Sequence, residues 1–129
     1  VIVVDSAAVV DALTLAPDSD ALRDQLADEE LHAPSLLDYE VTSALRGLVL
    51  GGHLGPSRAE DCLTDFDDLP IRRWSSEDAL RRRALHLRDI LSTYDAAYVA
   101  LAEALECPLL TRDARLSRSR GHAAEIRLG

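Results

Sequence analysis

Four carboxylates stand where an apolar element would be expected to carry a core residue or to end. Asp5 closes the run Val1-Ile2-Val3-Val4, and Asp113 closes Pro108-Leu109-Leu110-Thr111-Arg112. Glu40 lies within Leu36-Leu37-Asp38-Tyr39-Glu40-Val41, and Asp95 within Tyr94-Asp95-Ala96-Ala97-Tyr98. If the fold gathers these acids, their mutual repulsion calls for a cation, and oxygen-only ligands select a hard divalent ion such as Mg²⁺ or Mn²⁺. Each acid also has an ordinary explanation. Asp5 and Asp113 are placed to cap the helices that follow them, and Asp95 completes a capping box opened by Ser92. Glu40 resists this treatment. It sits beside the apolar positions Leu36, Leu37 and Ala44, in what reads as mid-helix, and no arginine lies at i±4 to pair it. An unpaired ionised carboxylate on such a face costs several kcal/mol.

The elements that must position these groups follow from periodicity. Residues 1–4 read as a short buried strand, followed by a helix over 6–15, a break at Pro17, Asp18 and Ser19, and a second helix to about Asp28. Leu31-His32-Ala33 is a candidate strand. Leu37, Val41, Ala44, Leu45 and Leu48 give the spacing of an amphipathic helix from Ser35 to Leu50, which Gly51 and Gly52 end. A helix opens at Pro56. Residues 70–74 read as a strand, and Ser75 or Ser76 caps a helix with Leu80, Ala84, Leu87 and Leu91 on one face. An alanine-rich helix from Ser92 to Glu106, a strand over 108–111, a short helix and a possible last strand over 125–128 complete the chain. Strands alternating with helices predict an α/β fold: a three-layer sandwich with a central, mainly parallel sheet of four or five strands flanked by helices. In such sheets the site lies at the carboxyl ends of the strands, where Asp5 and Asp113 fall.

Composition narrows the functional classes. The 129 residues fit one domain, and 47% apolar content is enough for a packed core. No run of about 18 apolar residues is present to cross a membrane, and no basic segment precedes residues 1–4 as in a signal peptide. Cys62 and Cys107 lack any metal-ligand spacing and are expected to be free thiols, as in a reducing cytoplasm. The net charge is −9, with 23 acids against 14 bases, which argues against nucleic-acid binding through bulk charge. Every base is arginine, so mechanisms that need lysine are excluded. Arg112, Arg115, Arg118 and Arg120 lie next to Asp113 and are candidates for phosphate contacts, whereas Arg81, Arg82, Arg83 and Arg88 read as a solvated helix face. His32, His53, His86 and His122 form no ligand motif and read as surface or boundary residues. No GxSxG, GxGxxG or GxxxxGK sequence is present.

The blocks Val3-Val4-Asp5-Ser6-Ala7, Pro34-Ser35-Leu36-Leu37-Asp38-Tyr39-Glu40-Val41, Tyr94 to Ala102 and Leu109-Leu110-Thr111-Arg112-Asp113, in this order, resemble the PIN-domain ribonucleases. The likeness is in particular to the VapC toxins of type II toxin–antitoxin pairs, and it spans residues 1–129 as a single PIN-like domain. It implies that Asp5, Glu40, Asp95 and Asp113 gather at one edge of the sheet. It further implies a Mg²⁺-dependent endoribonuclease, with Mn²⁺ as a possible substitute, whose metal is held by Asp5, Asp95 and Asp113. Glu40 would position or deprotonate a water, and cleavage would leave a 5′-phosphate and a 3′-hydroxyl. Thr111 is expected to bond a carboxylate or the phosphate, and Arg112 and Arg115 to contact the RNA backbone. The implied partners are RNA, a small cognate antitoxin and a second copy of the chain in a homodimer, with no membrane. Two departures from the family pattern stand out: the hydroxyl follows the first Asp by one residue, at Ser6, rather than by two, and no further acid follows Asp113 closely. Two other readings of the residues are a catalytically silent PIN-like module that binds RNA or protein, and a metal-dependent phosphatase.

Overall fold

The computed structural model describes residues 1–129. Its elements run β1 (Ile2–Val4), α1 (Ser6–Leu13), α2 (Asp20–Asp28), β2 (Leu31–Pro34), α3 (Leu37–Leu50), α4 (Pro56–Asp68), β3 (Ile71–Trp74), α5 (Asp78–His86), α6 (Thr93–Leu105), β4 (Leu109–Thr111), α7 (Ala114–Ser117) and β5 (Ile126–Leu128). The five strands form one sheet in the order β3-β2-β1-β4-β5. Every neighbouring pair is parallel. The expected α/β sandwich is therefore present, with an entirely parallel sheet.

That strand order decides where a site can form. The connections from β1 to β2 and from β2 to β3 step in one direction, and the return from β3 to β4 steps in the other. Right-handed crossovers place these two sets of helices on opposite faces. One layer holds α1, which packs against α2, α3 and α4; the other holds α5 and α6, with α6 lying over β1, β2 and β4. The chain leaves β1 toward β2 but leaves β4 toward β5. Beyond the carboxyl ends of β1 and β4 this divergence opens a crevice, the usual ligand position in an open parallel sheet.

The centre of the sheet is buried on both faces, which explains runs without alternation. Ile2, Val3, Val4, Leu109 and Leu110 are essentially inaccessible and join Val9, Leu37, Val41, Val99 and Leu101 in one core. Three local expectations are corrected. The third helix begins at Leu37, two residues later than Ser35, because Ser35 extends the ladder through its N–H to the Trp74 carbonyl at 2.9 Å. The fifth helix is preceded by Glu77, not capped by Ser75 or Ser76, and ends at His86. Beyond it, Leu87 and Leu91 reach the core from a tight turn. His32 is buried on β2, where its ring is fixed by Trp74 Nε1 at 3.0 Å on one side and by Glu30 at 2.8 Å on the other. Cys62 and Cys107 are both free thiols.

Candidate active site

Each of the four acids sits at the N-terminus of a helix. Asp5 caps α1, accepting the Ala8 N–H at 2.9 Å. Glu40 lies in the first turn of α3, and Asp95 in the first turn of α6, where its own N–H is held by the Ser92 hydroxyl at 3.2 Å. Asp113 caps α7 by accepting the N–H groups of Arg115 and Leu116. The reading of Glu40 as mid-helix is thus corrected by the later start of α3. Helices antiparallel to the strands begin at the carboxyl edge of the sheet, so these four N-termini share one edge. Their exposed N–H groups and dipoles favour negative charge there. The capping explanation and the site explanation are not rivals: the same geometry serves both.

Asp5 is the centre of this arrangement. It is only 6% exposed, at the switch point itself. Thr111, fully buried at the end of β4, donates its hydroxyl to Asp5 Oδ2 and accepts the Asp113 N–H at 2.9 Å. Thr111 therefore orients the Asp5 carboxylate and fixes the backbone at Asp113; of the two contacts expected of it, with a carboxylate or with the phosphate, the first is the one present. Loss of hydration pushes the Asp5 carboxyl up to about 6, and the charges of Asp113 and Asp95 add to the rise. Burial, with Asp95 again contributing, also raises Glu40 above the ordinary glutamate range.

Glu40 is joined to the opposite helical layer. The phenol of Tyr98, on α6, donates to Glu40 Oε1 at 2.6 Å. Tyr98 is 2% exposed, and burial together with the adjacent Glu40 carboxylate holds its phenol protonated far above the usual range. The sequence reading of this stretch singles out Asp95 and not Tyr98. The missed signal is its hydroxyl, since a tyrosine buried this deeply needs a partner for its O–H. Glu40 Oε2 has no hydrogen-bond partner in the protein and is left for a substrate or water.

The two arginines separate. Arg112 is bound to Asp11 at 3.0 Å and to the carbonyls of Pro17, Asp18 and Gly129. These contacts tie α1 and the turn after it to the end of β5 and engage the guanidinium of Arg112 within the protein. Arg115 points to the acids: its Nη2 lies 3.2 Å from Asp95 Oδ2 and 3.4 Å from Asp113 Oδ2.

As the side chains stand, no three histidines, cysteines or acids are close enough to close around a metal ion. The donor set nevertheless fits a hard divalent cation. It consists only of carboxylate oxygens, and a guanidinium already stands as a cation between two of them.

Comparison with known proteins agrees with this geometry. The PIN domain family model matches residues 2–121. Ribonuclease VapC12 of Mycobacterium tuberculosis is 39% identical over 127 residues, covering 98% of each chain. Ribonuclease VapC1 of the same organism is 42% identical over 127 residues, covering 98% of this chain and 96% of its own. In structure, the Rickettsia felis VapBC2 complex bound to a promoter DNA fragment contains a chain that superposes with a TM-score of 0.68 at 15% identity, covering 97% of each. The chain belongs to the PIN-domain family and, within it, to the VapC ribonucleases.

Proposed function

We propose that this chain is a metal-dependent endoribonuclease and the toxin of a toxin–antitoxin pair. One observation carries the site assignment. The buried carboxylate of Asp5 is under the charge of both Asp95 and Asp113, and it has no cationic partner of its own. Asp5, Asp95 and Asp113 would hold Mg²⁺ or Mn²⁺. When bound, such an ion supplies polarisation of the scissile phosphate and a more acidic water. The chain's own groups do the rest. Thr111 fixes the lone pairs of Asp5, and the N-termini of α1 and α7 orient Asp5 and Asp113. Tyr98 fixes Glu40 Oε1, so that Oε2 can take a proton from an attacking water as general base. In-line attack would release a 5′-phosphate and a 3′-hydroxyl.

The test is RNA cleavage by the purified protein with Mg²⁺, with Mn²⁺ and with a chelator, followed by sequencing of the cleaved ends. Undiminished cleavage in the chelator, or by Asp5→Asn, would overturn the assignment. RNA binding without cleavage would favour the silent module. Hydrolysis of a small phosphoester that RNA does not inhibit would favour the phosphatase.

The partners follow from the surface. The seam between α1 and α3 is filled by their own packing, whereas a cavity of about 390 Å³ lies open between α3 and α4, lined by Leu45, Val49, Leu50 and Leu63. An apolar antitoxin segment would lie there, with a basic side chain reaching the acids. A second copy would cover the other apolar region. This is a cavity of about 360 Å³ between the starts of α3 and α6 and the length of α5, flanked by Leu85 and by Tyr94, the latter 65% exposed. A cytoplasmic location fits RNA as substrate. Light scattering should report a dimer that Tyr94→Glu dissociates; a monomeric wild-type chain would remove this reading.

A further inference from the structure

Arg115 occupies a place that the proposed chemistry does not use. One nitrogen of its guanidinium serves Asp95 on α6 and Asp113 at the start of α7, joining two elements that are otherwise separate in the chain. Its side chain is 73% exposed, so it is held by these two carboxylates alone rather than by packing. Asp5 does not share in the bridge; its oxygens are taken by Thr111 and the Ala8 N–H. The bridge therefore neutralises Asp95 and Asp113 and leaves Asp5 untouched. The shared nitrogen stands 3.2 and 3.4 Å from their oxygens, a looser hold than the roughly 2.1 Å at which a small divalent cation is bound.

We propose that Arg115 is a displaceable internal counter-ion that competes with the divalent cation for Asp95 and Asp113 and so sets the metal affinity of the site. This rests on the reading of Asp5, Asp95 and Asp113 as the metal-holding acids. Arg115 is then a positioning residue. It keeps the acid edge folded and correctly placed when cation is scarce, and it swings into solvent when cation enters. Once displaced, its guanidinium would lie beside the site on a short helix that Arg118 ends, available to a substrate phosphate. The same slot is the one an antitoxin's basic side chain would have to fill, so the chain carries its own weak version of that occupant.

The test is direct Mn²⁺ binding to the intact protein, measured by calorimetry and by electron paramagnetic resonance of the free ion, without RNA. Arg115→Met keeps the aliphatic stem and removes the charge. It should bind Mn²⁺ about three- to tenfold more tightly than wild type at low salt, the range expected for losing an exposed bridge to two acids. The gain should shrink as ionic strength rises, because the bridge is screened and an exposed competitor weakens with it. Arg115→Lys should fall between the two. Equal or weaker Mn²⁺ binding by Arg115→Met, with wild type binding normally, overturns the proposal and leaves the metal site standing. Mn²⁺ binding that Asp5→Asn does not weaken, or no binding by either wild type or Arg115→Met, overturns the metal site and the proposal together. Binding by Arg115→Met alone would be its strongest support.

Discussion

Helix α6 carries two acids with opposite fates, and the contrast separates structure from function in this fold. Near its C-terminus, Glu103 receives both arms of Arg83 from α5, at 2.8 and 3.0 Å, and the Ala123 N–H at 2.7 Å. The Arg83 guanidinium is the main reason its carboxyl is held below the ordinary glutamate range. About 12 Å away along the same helix, at 1.5 Å per residue, Asp95 stands in an edge where Asp5 and Glu40 are pushed the other way by burial. Glu103 has a fixed cation and every hydrogen bond it can use, so it ties α5, α6 and the loop before β5 together. The acids at the carboxyl edge have only helix ends, hydroxyls and one exposed arginine. Under the proposed function, acids kept short of positive charge at a structural cost would await a cation that comes and goes.

The largest effect that could break this contrast is at Asp5. Asp5→Asn keeps the shape and still caps α1, yet removes the buried charge. Cleavage of RNA should fall by about 10³-fold or more, the scale of losing a metal's electrostatic contribution. Stability in chelator should rise by about 1–2 kcal/mol near neutral pH, because the charge being removed is the one that burial penalises. Activity assays with thermal or denaturant melts read both. A variant that lost stability as well as activity would make Asp5 a structural acid like Glu103.

Glu103→Ala should show the opposite pattern. Losing a charged hydrogen-bond network that leaves Arg83 without its partner should cost about 2 kcal/mol. Cleavage measured well below the melting temperature should stay within about twofold. A tenfold loss of activity would mean that the two ends of α6 are coupled, and the division drawn above would fail.

The pH dependence of stability sharpens the same comparison, since the two acids have opposite signs. Asp5 is raised from 3.8 to about 6 in the fold. Between those values the unfolded chain has released a proton that the folded chain keeps. The stability tied to this group is therefore complete below about 3.8 and is lost as pH rises through about 6. Glu103 is lowered from 4.5, so its contribution is present above that value and is lost as pH falls through the lowered one. Denaturant melts of wild type, Asp5→Asn and Glu103→Ala in chelator should show the Asp5→Asn advantage growing between about pH 4 and pH 6.5 and the Glu103→Ala penalty fading in acid. An Asp5→Asn advantage that did not change with pH would show that the gain is not electrostatic.

The sequence made the acids visible because each interrupts a pattern: a β-branched run that stops at Asp5, an alanine-rich helix that admits Asp95. It made the parallel sheet visible because the runs at residues 1–4 and 108–111 have no polar face and so must be covered on both sides. Partnership was not visible. Arg112 and Arg115 are three residues apart and both within two residues of Asp113, yet one is bound to Asp11 and three carbonyls and the other to Asp95 and Asp113. That choice depends on where β5 and the turn after α1 lie, which no local pattern records. The burial of His32 was hidden for a related reason: Glu30 is local, but Trp74 meets the ring only when β2 and β3 align in register. Glu40 stands out in the sequence, but its place in the helix does not. A two-residue shift in the start of α3 moves it from mid-helix to the first turn, where an acid is favoured rather than penalised.

The smallest expected effect concerns the link between Glu40 and Tyr98, which is the only hydrogen bond by which the protein holds this carboxylate. Tyr98→Phe deletes one hydroxyl from a site that is 2% exposed and should cost about 1 kcal/mol, the net worth of a hydrogen bond to a charged group less the desolvation of the phenol. The informative change is in the rate. Tyr98 donates to the ionised form of Glu40 and so opposes the rise that burial causes. Without it the carboxyl takes up a proton more readily, and the acid limb of the cleavage profile should move to higher pH. If Glu40 is the base, the rate at neutral pH should fall by about three- to tenfold and recover as pH is raised, with RNA affinity unchanged. A uniform loss at every pH would mean that Tyr98 only orients Glu40. No loss at all would mean that the oxygen Tyr98 holds is not the one that fixes Glu40 for chemistry, and that α3 and α6 meet at this edge for packing alone.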